Sequence, residues 1–172
     1  MVDHTSKLVT RTGLTIVVQP AGSDDDAILN ELFHQVRPQD LHFRFLGGMK
    51  EVPPRQIHQM THVDHRTAET YIAFLEDNHT PVATAMLARE GASDRGEVAI
   101  SVRADYRDHG IGWVMLAFVV RQAEAWGLNV IESIESRANH DAIELEKNMG
   151  FSVSPYPDDA TLLLVKKTLR TT

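Results

Sequence analysis

The chain has 172 residues, the length of one domain, and its 42% hydrophobic and 24% charged residues are typical of a globular protein rather than of a disordered or fibrous one. Its 17 Lys and Arg residues against 24 Asp and Glu residues give a net charge of -7, which argues against nucleic-acid and anionic-membrane partners and is compatible with a cationic substrate. Because the sequence contains no cysteine, disulfides, thiolate metal sites and a cysteine nucleophile are excluded.

The sequence predicts neither a membrane segment nor an export signal. Its longest apolar run, residues 111–120, is well short of the ~18 residues that a membrane-spanning helix needs. Residues 1–4 carry no basic region before an apolar stretch, so they do not begin a secretory signal. Because the chain also shows no repeat or linker, we predict a single domain over residues 1–172 of a cytoplasmic protein.

The first third of the chain predicts one strand and two helices. Residues 14–19 are rich in β-branched residues and predict a strand. Apolar residues recur at helical spacing after Ser23, which we expect to cap a helix that Pro38 ends. Residues 39–66 are predicted to be irregular apart from a short helix that begins near Pro54.

The rest of the chain predicts a sheet interrupted by two helices, which makes the whole a mixed α/β layer fold. In chain order the elements are an antiparallel hairpin of strands 70–75 and 82–87, strand 97–102, helix 110–126, strand 129–134, helix 139–149, and strands 151–154 and 161–165.

The junction after strand 97–102 carries the first chemical signal. Arg107-Asp108-His109-Gly110-Ile111-Gly112 stands where this strand ends and a long helix begins. A helix N-terminus presents unpaired N–H groups and a partial positive charge, and glycine lets a phosphate approach the backbone closely. The sequence lacks the Gly-Lys-Ser/Thr of a Walker A loop and the third glycine of the dinucleotide fingerprint. Alone, the pattern is equally typical of an ordinary tight turn.

A second motif follows on the next predicted helix. It reads Asn139-x-x-Ala142-x-x-Leu145 and ends in Gly150-Phe151. Together, the R-x-x-G-x-G turn and this helix resemble the GNAT superfamily of acyl-CoA-dependent N-acetyltransferases, over about residues 14–165. The resemblance implies an α/β fold in which helices flank a mixed, mostly antiparallel sheet with splayed central strands. It also implies acetyl-CoA as cosubstrate and an amine as acceptor.

Residues 40–75 narrow this resemblance. They look like the acetyltransferase domain of Pat-type bacterial protein lysine acetyltransferases, with an aromatic-Arg-Phe element (Phe43-Arg44-Phe45) and a Thr-x-x-Asp step at Thr61 and Asp64. The central strand of those domains opens with a glutamate, here Glu97. A protein lysine is therefore the leading acceptor. The alternatives are a small-molecule amine or polyamine acetyltransferase, and a non-catalytic acyl-CoA-binding sensor.

The resemblance also implies a role for each site residue. Glu97 is the general base of a direct transfer, because an amine of pKa ~10.4 must lose a proton before it attacks the thioester. Backbone N–H groups of residues 100–102 bind the thioester oxygen, residues 107–113 hold the pyrophosphate, and Asn139 binds the pantetheine arm. The implied cofactor-binding residues are Ile100, Val102, Arg103, Arg107, Asp108, His109, Gly110, Ile111, Gly112, Trp113 and Asn139.

Two positions depart from the family pattern. Glu146 replaces the tyrosine that often protonates the leaving thiolate, so Glu146, water or no group at all takes that role. Trp113 replaces a basic residue that often lies near the phosphates, and we expect it to pack in the core. Asp141, Glu144 and Glu146 also fit a solvated helix face.

Three histidines share a helical spacing in the short helix region. His58, His62 and His65 stand at i, i+4 and i+7, and such a face could bind a metal. We favour the interpretation that they are polar surface residues of an acceptor-side helix, and we expect no metal. The sequence leaves the oligomeric state open, with a homodimer among the alternatives.

Overall fold

The computed structural model describes residues 5–47 and 49–169 as helices packed on one mixed sheet. The elements are β1 (Ser6–Val9), β2 (Thr15–Pro20), α1 (Asp26–His34), α2 (Pro38–Phe45), α3 (Pro54–Thr61), β3 (Ala68–Leu75), β4 (Pro81–Arg89), β5 (Arg95–Val102), α4 (Ile111–Ala125), β6 (Val130–Ser136), α5 (His140–Asn148), β7 (Ser152–Pro155) and β8 (Leu162–Thr168).

The strands form one eight-stranded sheet in the order β1-β2-β3-β4-β5-β6-β8-β7. Neighbouring strands run antiparallel except for β5 and β6, which are parallel and are joined by the α4 crossover. The predicted mixed, mostly antiparallel sheet is therefore confirmed. The predicted hairpin is also present as β3 and β4, which pair from Ala68↔Ala88 onwards.

The centre of the sheet opens between β5 and β6. Their pairing covers only Arg95↔Val130, Gly96↔Ile131 and Glu97↔Glu132. Beyond these pairs the two strands run on without hydrogen-bonding to each other, and β8 supports β6 on its far side. The splayed central strands implied by the resemblance are thus present, and they place unpaired backbone groups of β5 along a gap in the sheet.

Two hydrophobic cores lie on opposite faces of the sheet. The larger core packs α4 on β4 and β5, and the smaller core packs α1, α2 and α3. Successive side chains of β3 alternate between them: Tyr71, Ala73 and Leu75 enter the larger core, while Ile72 and Phe74 enter the smaller one. β3 is therefore buried on both faces and holds the two layers together.

The structure corrects three details of the sequence analysis. β1 was not predicted, because it is a short edge strand with an alternating half-buried pattern. Pro38 does not simply end a helix but begins α2, where its fixed φ suits the first turn. The first helix starts at Asp26 with Asp25 at its N-cap, so Ser23 lies in the preceding turn.

The helices of the described residues are too short or too polar for any of them to cross a bilayer. Residues 1–4, on which the absence of an export signal was predicted, lie outside the described residues.

Candidate active site

A cleft of about 750 Å³ fills the gap between β5 and β6. Its walls come from α2, from the divergent parts of both strands, from the N-terminal turn of α4 and from α5. The expected site residues that line it are Glu97, Ile100, Val102, Arg107, Asp108, Gly110, Ile111, Gly112, Trp113, Asn139 and Glu146. The structure therefore brings together residues as far apart in the chain as Glu97 and Glu146.

Gly110 shapes the cleft end at which α4 begins. It is the N-cap of α4 and has a left-handed φ of 82°, a conformation that side chains other than glycine rarely adopt. A Cβ at this position would stand 3.1 Å from Cγ of Arg11. The first N–H groups of α4 have no partner within the helix, so this end of the cleft offers backbone donors to an anion.

The guanidinium of Arg107 is already engaged by acidic residues. Its Nε lies 3.3 Å from Oδ2 of Asp40, and its Nη2 donates to Oδ2 of Asp141 at 3.0 Å. Asp40 also accepts two hydrogen bonds from Arg37, at 2.8 and 2.9 Å. Arg107 thus ties α2 to α5 across the cleft, and much of its positive charge is compensated.

Arg11 is a second cation at the same end, and the sequence analysis missed it. It lines the cleft beside Gly110 and makes no ion pair with a carboxylate in residues 5–47 or 49–169. The turn that carries it is fastened to the loop before α4, since the Thr12 hydroxyl donates to the His109 carbonyl at 3.0 Å. No local signal marks Arg11, because its position depends on the unpredicted pairing of β1 with β2.

Three of the residues that the resemblance implies for cofactor binding are not placed as the sequence analysis predicts. The Arg103 side chain is outside the cleft, where it pairs with Asp105 at 2.8 Å and lies over the Tyr106 ring. The exposed His109 side chain is also outside it, with its ring 5.9 Å from that of Tyr106. Trp113 lines the cleft and is 42% exposed, so the expectation of a core residue is wrong. Trp113 lies on the first turn of α4, and its side chain forms part of the cleft wall instead of the core.

Glu97 stands where the pairing of β5 with β6 ends, at the mouth of the cleft. Its side chain is accessible to solvent, yet the surrounding protein removes enough water to raise its pKa above the usual value. The negative charges of Glu132 and Glu90 raise the pKa further, and the positive charge of Arg44 opposes them. A carboxylate with a raised pKa is a stronger base than an ordinary glutamate.

A buried acidic pair lies deeper in the cleft. Glu146 is only 5% exposed, and burial together with the adjacent Glu135 carboxylate raises its pKa to about 9. Glu135 accepts hydrogen bonds from the Ser133 hydroxyl at 2.5 Å and from the Asn139 amide at 3.1 Å. Burial raises the pKa of Glu135 too, and these hydrogen bonds oppose that rise because they stabilise its charged form. At neutral pH Glu146 is therefore the protonated member of the pair.

This pair corrects the expectation of a solvated face on α5. Asp141 and Glu144 are exposed, as expected, but Glu146 is buried against the sheet. Glu135 is a functional candidate that the sequence analysis missed. Its signal is the alternation of β6, where Ile131, Ser133 and Glu135 share one parity and the first two are buried.

Asn139 stands at the N-cap of α5, but its side chain makes no capping hydrogen bond. It donates to Glu135 instead, so it belongs to the polar network of the cleft rather than to the helix end alone. Arg44 also lines the cleft, with its guanidinium 4.6 Å from the centre of the Phe45 ring. Burial lowers its pKa, and its charge acts on both Glu97 and Glu135.

The three histidines with helical spacing lie outside this cleft. His58 on α3 and His62 at its C-cap have ring centres 3.6 Å apart. His65 is not part of this pair, because it contacts Glu69 at 2.8 Å instead.

Comparison with known proteins agrees with this architecture. A curated acetyltransferase of Pseudomonas aeruginosa is 23% identical over 154 residues, which cover 88% of this chain and 83% of that protein. The crystal structure of the GNAT domain of S. lividans PAT superposes with a TM-score of 0.89 at 21% identity, covering 96% of this chain and 97% of that one. The PaiA N-acetyltransferase of Thermoplasma acidophilum, solved in complex with coenzyme A, gives a TM-score of 0.73 at 14% identity and covers 90% and 99% of the two chains.

The model of the acetyltransferase (GNAT) family matches residues 32–151. This segment contains α2, β5, α4, β6 and α5, the elements that build the cleft. The chain therefore belongs to the GNAT family and is an acetyltransferase of that type.

Proposed function

We propose that the protein transfers an acetyl group from acetyl-CoA to a primary amine, and that the acceptor is a lysine side chain of a protein. The observation that carries this proposal is the cleft between β5 and β6, which begins at the open N-terminus of α4 and ends at an accessible glutamate. The resemblance of residues 40–75 to Pat-type protein lysine acetyltransferases supports a protein lysine as acceptor. The complex of the Thermoplasma enzyme with coenzyme A supports the cosubstrate.

The residues of the cleft fit a ligand with a phosphate end and a long neutral arm. Gly110 leaves room where a Cβ would fill it, and the first N–H groups of α4 would hold the pyrophosphate. Arg11 would supply a positive charge that Arg107, already paired with two aspartates, supplies only in part. The unpaired edge of β5 and the amide of Asn139 would bind the arm.

Two glutamates divide the proton transfers. Glu97 accepts a proton from the acceptor ammonium, so that the neutral nitrogen can attack the thioester carbonyl. As the tetrahedral intermediate collapses, the nitrogen loses its second proton to solvent and the carbon–sulfur bond breaks, and the departing sulfur needs a proton. Glu146 is protonated at neutral pH and lies in the same cleft, so it would donate that proton directly or through water. Backbone N–H groups of residues 100–102 would stabilise the oxyanion.

The charge at the mouth of the cleft favours a cationic acceptor. Glu97 lines the cleft and its carboxylate would attract an ammonium group, whereas Glu132 outside the cleft is paired with Arg95 and the charge of Arg44 partly offsets that of Glu97. A small amine or polyamine satisfies the same electrostatics and is the second candidate. A non-catalytic sensor would need neither the accessible Glu97 nor the protonated Glu146, so the cleft favours an enzyme.

An acceptor screen with labelled acetyl-CoA tests the proposal. We expect transfer to lysine-containing peptides, with Glu97→Gln reducing turnover at pH 7 by about 10²-fold while acetyl-CoA affinity stays the same. The deficit should shrink at high pH, where more of the amine is neutral. Glu90→Gln, which neutralises an exposed carboxylate outside the cleft, is the matched control and should retain most of the turnover. Transfer to polyamines but not peptides would favour the second candidate, and a wild type inert with every amine would favour the sensor.

A further inference from the structure

A second cluster of polar side chains lies away from the cleft, where α1 meets α3. His58 lies on α3, His62 is the C-cap of that helix, and Asp26 is the first residue of α1. One ligand atom from each of these residues lies within 4.8 Å of the other two. Since none of the three lines the cleft, the cluster is separate from the proposed acetyl-transfer chemistry.

The side chains already face one another. Nδ1 of His58 lies 3.0 Å from Oδ2 of Asp26, and the rings of His58 and His62 stack with centres 3.6 Å apart and planes inclined by 23°. His58 and His62 are four residues apart at the C-terminal end of α3, a spacing at which both imidazoles can reach a common ion.

The carboxylate is held in place by a residue outside the ligand set. The Thr61 hydroxyl donates a hydrogen bond to Oδ1 of Asp26, and Thr61 is only 2% exposed. Oδ1 is thereby fixed from the protein side, and Oδ2 is turned toward His58. Fixation of a ligating group by an outer hydrogen bond is the arrangement that orients ligands at metal sites in proteins.

We propose that Asp26, His58 and His62 bind one divalent transition-metal ion of the zinc class. Two imidazoles and one carboxylate are a ligand set that zinc accepts, and three protein ligands leave a fourth position for water. Ligand atoms of a tetrahedral zinc site lie about 3.3 Å apart. His58 already faces Asp26, whereas Nδ1 of His62 lies 3.0 Å from the His58 carbonyl oxygen and 2.9 Å from the Thr61 hydroxyl. The exposed His62 ring would therefore leave these contacts or bind the ion through Nε2.

The bound ion would add a link between two helices that already meet through the smaller hydrophobic core and through the contacts of Asp26 with His58 and Thr61. α1 and α3 pack through the smaller hydrophobic core, with Leu29 and Ile57 buried between them and the sheet. The proposed site lies at the solvent edge of this packing. Metal binding there would therefore stabilise the folded chain without entering the acetyl-CoA cleft.

Isothermal titration of the metal-stripped, untagged full chain with ZnCl₂ tests the proposal. We expect one Zn²⁺ per chain, and a rise in the melting temperature of about 5 °C at a hundredfold excess over Kd. His58→Ala, His62→Ala and Asp26→Asn should each weaken zinc binding by at least about tenfold. Circular dichroism would verify that each variant is folded, and the three variants test the same site independently.

His65→Ala is the matched control, since it removes a histidine near the same helix end that pairs with Glu69 instead. It should bind Zn²⁺ as tightly as the wild type. The proposal is overturned if His65→Ala loses as much affinity as His58→Ala, if Asp26→Asn binds like the wild type, or if the wild type takes up no stoichiometric zinc.

Discussion

Two arginines at the phosphate end of the cleft differ in how much charge they can offer. Arg107 is shared between Asp40 and Asp141, whereas Arg11 has no carboxylate partner among the residues that the structure describes. An unpaired arginine can form charge-assisted hydrogen bonds to phosphate without first breaking an ion pair. We therefore predict that Arg11 contributes more than Arg107 to phosphate binding, although the motif points to Arg107.

Replacing Arg11 tests this assignment. Arg11→Ala should weaken acetyl-CoA binding about three- to tenfold, since one charge-assisted hydrogen bond at an accessible site is lost. Binding of acetyl-pantetheine, which lacks the phosphates, should not change. Arg55→Ala removes the same charge from an exposed position outside the cleft and serves as the control. Equal affinities of the two variants, measured by calorimetry, would contradict the assignment.

At the scale of a helix, α4 is bounded by two glycines in the same left-handed conformation, which glycine adopts without strain but other residues do not. Gly110 has a φ of 82° and Gly127 a φ of 76°, but only Gly110 lies in the cleft. A Cβ at Gly127 would meet no atom within 4 Å in the described structure. The pair therefore separates the backbone strain that a side chain would cause at both positions from obstruction of the ligand site.

Substituting aspartate at Gly110 and at Gly127 compares the two effects. Both Gly110→Asp and Gly127→Asp should lower the melting temperature, because both force a side chain into a left-handed backbone. Only Gly110→Asp should also weaken acetyl-CoA binding, by at least about tenfold, because a carboxylate then occupies the expected phosphate position. Calorimetry on the folded proteins decides the point, and unchanged affinity in Gly110→Asp would remove the basis for placing the phosphates at α4.

The buried acid on α5 makes the stability of the protein depend on pH. Glu146 has its pKa raised from 4.5 to about 9 in the folded state. Between these values the folded chain keeps a proton that the unfolded chain releases, so the free energy of unfolding falls as the pH rises through this range. The cost of burying Glu146 is therefore small at acidic pH and grows toward alkaline pH.

Glu146→Gln should remove this cost, because glutamine keeps the shape and still donates to Glu135. We expect the variant to be more stable than the wild type at pH 8 by a few kcal/mol, with a much smaller difference at pH 5. Urea unfolding at the two pH values measures this. Glu144→Gln on the exposed face of α5 is the control and should show no such pH dependence. A stability gain that is the same at both pH values would argue against a protonated Glu146.

At the scale of the whole molecule, the sequence predicts those elements that are formed by residues close together in the chain. The hairpin of β3 and β4, the long helix α4 and the glycine turn before it follow from periodicity, caps and turn residues within short windows. Glu97 and Asn139 were placed by family motifs and do line the cleft. The residues that escaped prediction depend on distant pairing: Arg11 on the edge hairpin, Glu135 on β6, and Asp26 on contact with α3. Their residue types are common on protein surfaces, and their neighbours come from segments that only the fold brings close.

The gap in the sheet also divides the molecule mechanically. Only the pairs at Arg95, Gly96 and Glu97 join β5 to β6 by hydrogen bonds, although Ile131 and Val165 still bury their side chains in the larger core. Amide hydrogens in the part of β6 beyond these pairs should exchange with solvent at lower opening free energy than those of β3 and β4, which are paired on both sides. A molecule lying in the gap would touch both strands and slow this exchange. The gap in which we propose that the cosubstrate binds is thus also the line along which we expect the sheet to open.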